Sequence, residues 1–205
     1  VAGYEADDLI ATYSRLAREA GARATIVSSD KDLMQLVVDG QVELYDPMKN
    51  RHIAAAEVLE RFGVPPAKVV QVQALAGDPT DNVPGVRGIG VKTAAELINA
   101  YGDIETLLAR AAEIRQNKRR ETLIEHAQNA RLSLKLVTLN DRVPLNEQPP
   151  AFAVREPDPE NLIALLKAME FSSITKRVGG RFEIADVVHG FLQRREDVQR
   201  AWRIC

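Results

Sequence analysis

Leu9, Ile10, Tyr13, Leu16 and Ala17 recur at helical spacing in YEADDLIATYSRLAREAG, and Gly21 supplies a stop, so the chain opens on a predicted helix. ATIVSSD follows as a short β-branched run, predicted as a buried strand ending near Ser28. DKDLMQLV reads as a short helix at that strand's carboxyl end, and QVELYDP as a second strand closed by Asp46-Pro47. AAEVLERFG predicts a helix ending at Gly63, and PPAKVVQVQALAGD another with Pro65 and Pro66 at its start. Strand and helix alternate, which predicts an α/β sheet with ligands at the carboxyl ends of its strands. From residue 84 the strand signals stop. VKTAAELINAYG, IETLLARAAEI, RRETLIEHAQNARLSLKLV and ENLIALLKAMEF all carry helical patterns, and LNDRVPLNEQPPAFAVREPDPE is a proline-rich, extended connector. The tail breaks at Gly179-Gly180 and continues as a moderately amphipathic segment with no assigned role.

Charge divides along the same line. Residues 1–84 carry 13 Asp or Glu against 8 Lys or Arg, whereas residues 85–142 carry 7 against 10. A polyanion is repelled by the first part unless cations neutralise it, and attracted by the second. Modest differences of this kind also arise from solvated helix faces. No apolar run approaches the length of a membrane span. The one cysteine, Cys205, excludes an intrachain disulfide and fits a reducing compartment. The opening VAGYEADD has neither an initiator Met nor a basic leader, and starts almost inside a helix signal; it reads as a fragment.

Three acidic clusters fall at the ends of predicted elements. Glu5 and Asp8 share a helix face, with Asp7 further round; acidic groups in a first turn also simply complement the helix dipole. Asp30 and Asp32 sit at a strand exit, where residues two apart point the same way, or where one of them caps the next helix. Asp78 and Asp81, in GDPTDN, are also ordinary turn residues. Taken together, seven carboxylates with only Lys31 among them would repel one another if the three ends met in one crevice. Divalent cations remove that penalty, and oxygen ligands without nearby Cys or His favour Mg²⁺ or Mn²⁺. Two such ions suit phosphodiester hydrolysis, one lowering the pKa of a bound water and the other stabilising the leaving oxygen. Next along the chain, PGVRGIG places Gly85, Gly88 and Gly90 around a tight turn before a helix from about Val91. Its N–H groups, the helix dipole, Arg87 and Lys92 all favour a phosphate, which predicts a helix–hairpin–helix clamp that reads backbone and not bases.

GYEADD, SSDKDLMQL and GDPTDNVPGVRGIGVKTAAELI, in this order and spacing, resemble the 5′ nuclease domain of bacterial DNA polymerase I, of the flap endonuclease superfamily. The resemblance spans residues 1–178. It implies a PIN-like parallel-sheet nuclease core, partial here, over residues 1–83, a helical DNA-binding module over 84–178, and leaves 179–205 unassigned. It implies a divalent-metal site made of Glu5, Asp7, Asp8, Asp30, Asp32, Asp78 and Asp81, with Asp30, Asp32, Asp78 and Asp81 closest to the chemistry. The stretch Gly85, Val86, Arg87, Gly88, Ile89, Gly90, Lys92 and Thr93 matches the clamp on duplex DNA, with a monovalent cation such as K⁺ on its turn carbonyls. The implied substrate is DNA with a 5′ flap, nick or 5′ end. The implied setting is the bacterial cytoplasm at the nucleoid, with a polymerase region covalently linked in the full-length protein; this sequence carries no polymerase motif. The family's further upstream aspartates and helical arch are not found in this sequence.

Two other readings stay open on the residues alone. One is a DNA-binding remnant that keeps the clamp without catalysis; the other is a phosphatase or nucleotide hydrolase, which would not need the clamp. His52, His126 and His189 are scattered and expected to be surface or satisfied positions. The RQNKRR run at 115–120 is either more DNA-binding face or a solvated face, and Lys31 either meets a phosphate or is merely exposed.

Overall fold

The computed structural model describes residues 1–181, so the tail beyond Arg181, including His189, Trp202 and Cys205, lies outside the described residues. Helix α1 runs Ala6–Glu19 and leads into strand β1, Ala24–Val27. A 3-10 turn, Asp32–Leu36, precedes β2, Val42–Asp46. β1 and β2 pair in parallel, as the alternation predicted. A third strand, β3 (Arg51–Ile53), escaped the pattern and pairs antiparallel with β2, so the sheet is mixed, in the order β1-β2-β3. It was missed because RHI is three residues long and buries only Ile53. Asp46 makes the hairpin: its Oδ1 accepts the N–H groups of Met48 and Lys49 at 3.0 and 3.2 Å. β1 is not the buried strand expected, for it lies at the sheet's edge and Val27 is 66% exposed.

Helices α2 (Ala55–Phe62) and α3 (Val69–Ala76) follow, the latter preceded by a 3-10 turn over Pro66–Lys68. Gly63 ends α2 at φ 71°, the left-handed C-cap position that glycine adopts without steric cost. Then come α4 (Val91–Tyr101), α5 (Ile104–Ala109), α6 (Asn117–Glu125) and α7 (Ala127–Val137). The single helical pattern at 119–137 is split at His126, which caps α6 and opens α7. α3 is mostly apolar and buries five of its eight residues, packing on α4 and α7. One continuous core joins sheet and helices, with Leu44, Ile53, Val58, Val72, Leu75, Ile98, Leu107 and Leu123 all within it.

These elements form one unit, Val1–Phe152; a second begins at Ala153. The second holds α8 (Pro159–Ala168), capped by the Asp158 side chain on Asn161 N–H at 3.0 Å, and α9 (Ser172–Arg181). Gly179 and Gly180, expected to break the chain, lie inside α9. Among the described residues, no helix is long and apolar enough to cross a membrane.

Candidate functional site

All three acidic clusters lie in the first unit, and their charges act on one another. Burial pushes the Asp7 carboxyl above the usual carboxylate range, and Asp30, Glu5, Asp32 and Asp8 push the same way. Burial first, then Asp30, also raises Asp32, with Asp81 adding to it and the Gln73 amide and Lys31 opposing. The α1 cluster, the β1 exit and the α3–α4 loop therefore share one electrostatic neighbourhood. Asp7 and Asp32 are the groups whose negative charge costs most there.

Local hydrogen bonds place each carboxylate. Asp8 Oδ2 accepts the N–H of Glu5 at 3.3 Å and its Oδ1 accepts that of Asn140 at 2.8 Å, so Asp8 ties the start of α1 to the connector after α7. Asp30 Oδ1 accepts Asp32 N–H at 2.9 Å, and Ser28 Oγ accepts Asp30 N–H at 3.0 Å, a nested turn that explains why the chain leaves β1 as it does. Asp78 and Val83 exchange backbone hydrogen bonds of 3.0 and 2.8 Å, closing a tight hairpin with Asn82 at φ 56°. Asp78 lies buried at its base and Asp81 exposed near its tip. Asp78 Oδ1 accepts Thr80 N–H at 2.9 Å, and Lys31 Nζ donates to its Oδ2. Lys31 is thus neither free nor merely exposed. Its ammonium holds Asp78 below the usual carboxylate range, and Asp78 in turn holds the ammonium above its ordinary value.

Among the described residues, no three His, Cys, Asp or Glu side chains meet closely enough to hold an ion unaided. Asp8, Asp30 and Asp78 instead accept hydrogen bonds from backbone N–H groups, and Asp78 also from Lys31. The donor chemistry nonetheless fits a hard divalent cation: every candidate is an oxygen, and the two raised carboxyls gain most from a positive ion.

The glycine turn is built differently. Gly85 has φ +60°, and a Cβ there would stand 2.5 Å from Gly77 N and 2.7 Å from Gly77 Cα. Two glycine backbones therefore pack directly on each other, which no other residue permits. Gly85 N–H donates to Ser133 Oγ at 2.9 Å, and Val86 N–H to Leu75 O at 2.8 Å. Val86 and Ile89 are buried at 2% and 5% exposure and fix the turn to the core. Arg87, Gly88, Gly90 and Lys92 face solvent, with Thr93 half-buried. Of the eight clamp candidates, Gly85, Val86 and Ile89 lie inside as scaffold, and Arg87, Gly88, Gly90 and Lys92 are available to a ligand. The basic run at 115–120 is partly committed, since Arg120 donates to Ile114 O and Asn117 Oδ1 at 3.0 and 2.9 Å. His52 pairs with Glu43 at 3.3 Å on the surface.

Sequence reading missed Gln35, Gln73 and Ser133. Gln73 donates to Asp32 Oδ1, Gln35 to Asp32 O at 2.9 Å, and Ser133 holds the turn. The available signal was polarity at apolar-period positions: Gln73 in VVQVQALA, and Ser133 between Ala130 and Val137 on the buried face of α7.

The first unit thus joins a small α/β part, with acidic groups at the ends of its elements, to helices that begin at a tightly packed glycine turn. Residues 1–63 match the N-terminal resolvase-like domain of 5′-3′ exonucleases, and residues 64–160 match the C-terminal SAM fold of the same enzymes. The chain belongs to the 5′-3′ exonuclease family. DNA polymerase I of Rhizobium leguminosarum is 53% identical over 176 residues, 86% of this chain and 17% of the polymerase. A 5′-3′ exonuclease of Aquifex aeolicus is 34% identical over 183 residues, 89% of this chain and 62% of that protein. Among solved structures, the T5 5′-exonuclease with divalent zinc ions bound superposes with a TM-score of 0.64 at 25% identity, covering 68% of this chain and 52% of the T5 chain. The chain spans less than two thirds of each of these relatives.

Proposed function

We propose that this protein is a divalent-metal-dependent 5′-3′ exonuclease and flap endonuclease that hydrolyses DNA phosphodiesters near a 5′ end, in replication and repair, as part of a DNA polymerase I-like protein. The observation that carries the reading is the match of residues 1–63 and 64–160 to the two domains of 5′-3′ exonucleases, with the β1 exit tied to the Asp78 hairpin by the Lys31–Asp78 ion pair. Family membership supports it, as do the metal ions of the T5 relative and the solvent-facing bases beside the glycine turn.

In this reading Asp30, Asp32, Asp78 and Asp81 hold Mg²⁺ or Mn²⁺ nearest the scissile phosphate, and Glu5, Asp7 and Asp8 complete the site from α1. Bound there, the ions supply an activated water and offset the charge on the leaving 3′ oxygen. Lys31, which pairs with Asp78, would be free to meet a phosphate oxygen if Asp78 held a cation instead. Arg87 and Lys92, with the exposed amides of Gly88 and Gly90, grip a backbone phosphate of the duplex, and K⁺ seats on the turn carbonyls. Residues 1–83 supply the acidic core and the helices after them the grip. Positioning and electrostatics do most of the work, because phosphoryl oxygens accept charge from every side.

The test is cleavage of a labelled 5′-flap duplex by the complete protein in Mg²⁺, with EDTA as control. Asp78→Asn combined with Asp81→Asn abolishes cutting and spares DNA binding. Undiminished cutting by the double variant contradicts the reading. DNA binding by the unaltered protein without any Mg²⁺-dependent cutting supports instead a clamp that does no chemistry.

A further inference from the structure

Two helices touch both halves of the site. α7 offers Ser133 Oγ to the N–H of Gly85, and four residues on, its Val137 carbonyl accepts Gln35 Nε2 at 3.0 Å. The same Gln35 nitrogen donates to Asp32 O at 2.9 Å, and Gln35 Oε1 accepts Leu139 N–H at 3.2 Å. α3 repeats the arrangement. Its Gln73 amide donates to Asp32 Oδ1, and two residues later Leu75 O accepts Val86 N–H at 2.8 Å. The contact between Gly77 and Gly85 closes the loop of connections. Asp32 is consequently held at its carboxylate by Gln73, at its carbonyl by Gln35 and at its N–H by Asp30. Ser133 is wholly buried and Gln73 is 7% exposed, so the Ser133 bond to Gly85 is shielded from water, while those at Gln35 and Asp32 are half-buried. A buried hydroxyl and a buried amide cost more than apolar groups of like size unless their bonds are made. Among the described residues Gln73 Oε1 accepts no hydrogen bond, so the donor end of its amide is the one in use.

We propose that Gln35, Gln73 and Ser133 are positioning residues that fix the distance between the glycine turn and Asp32, and so select which phosphodiester of a strand gripped by the turn is cut. This deepens the nuclease reading above and rests on it. Misplacing reacting groups by about 1 Å costs on the order of 10²-fold in rate. A fixed span between grip and carboxylate therefore brings one phosphate into reach and excludes its neighbours.

The experiment uses the complete protein and a 5′-flap duplex labelled on the cleaved strand, with products resolved to one nucleotide. Gln35→Met, Gln73→Met and Ser133→Ala remove the bonds and keep the bulk. Asp103→Ala removes the α5 cap, where Asp103 Oδ1 accepts Thr106 N–H at 2.8 Å, and gives a comparable stability loss away from the site. In the three bracing variants the share of cuts at neighbouring phosphates rises about tenfold. In Asp103→Ala it stays as in the unaltered protein. Affinity for the same duplex in EDTA changes less than about twofold in Gln35→Met and Gln73→Met, because the grip itself is untouched. Unchanged product positions in all three variants overturn the proposal. So does equal scatter in Asp103→Ala, or metal-free binding lost in step with the scatter. Absence of cutting by the unaltered protein overturns the nuclease reading itself, a different and distinguishable result.

Discussion

The acidic region around Asp7 and Asp32 and the glycine turn are stabilised in opposite ways. In the turn, Gly85 and Val86 N–H groups have buried protein partners, two apolar side chains anchor it, and the Gly77–Gly85 contact leaves no slack. In the acidic region, Asp7 and Asp32 are partly buried among like charges, and Lys31 pairs with Asp78. The turn is finished by the chain's own groups, whereas the acidic region is left with a charge that a bound cation would relieve. A rigid element together with an electrostatically costly one is what a site needs if it must hold a polyanion in place and take up metal to act on it.

The sharpest way to break the comparison is at the turn. Gly85→Ala forces a Cβ into Gly77 at a positive φ and is expected to cost about 3 kcal/mol or more in urea unfolding. Gly88→Ala has open space at φ +78° and is expected to cost about 1 kcal/mol. Equal losses at the two positions would show that the back-to-back packing does not matter. Next, Arg87→Ala and Lys92→Ala are each expected to weaken duplex binding on the order of fivefold, alike for all sequences, and to lower the salt slope by about one. A loss confined to certain sequences would mean the turn reads bases.

Smaller effects sharpen the acidic side. Asp7→Asn or Asp32→Asn removes a costly charge, so the metal-free protein is expected to melt about 1–2 °C higher, a gain trimmed by solvent screening. Both groups have folded-state pKa values above their unfolded ones. Their contribution to stability is therefore fully present below the ordinary carboxylate value and is lost as pH rises through the raised values. Asp78 runs the other way: its folded value is depressed by Lys31, so its stabilisation is present above the ordinary value and lost as pH falls through the depressed one. Melting curves from pH 3 to 7, about the carboxylate range, are expected to lose part of their alkaline-side decline in Asp7→Asn, and in Lys31→Met to start lower at neutral pH and to lose part of their acid-side decline.

Much of this architecture was legible because local chemistry decides it. The apolar period of α1, the Gly63 stop of α2 and the switch from strands to helices all follow from residues within a turn or two of one another. The acidic clusters were legible as candidates because each sits at the end of an element. What stayed hidden depends on distant partners. β3 exists only because β2 offers an edge, and Val27 is exposed although it ends a β-branched run with Thr25 and Ile26. Asp8 looked like one more carboxylate in a first turn, yet its Oδ1 is bound by Asn140, far along the chain. Gln35, Gln73 and Ser133 carry no motif; their significance is the pair of elements each one joins.

The central claim is that α1, the β1 exit and the Asp78–Val83 hairpin form one cation site. Calorimetric titration of Mg²⁺ or Mn²⁺ into the complete protein, and into Asp7→Asn, Asp32→Asn and Asp81→Asn separately, tests it directly. The expected result is that each substitution, one from each segment, weakens the same binding event, with Asp32→Asn the most severe. Binding that stays unchanged when two of the three segments lose their carboxylate would contradict the claim.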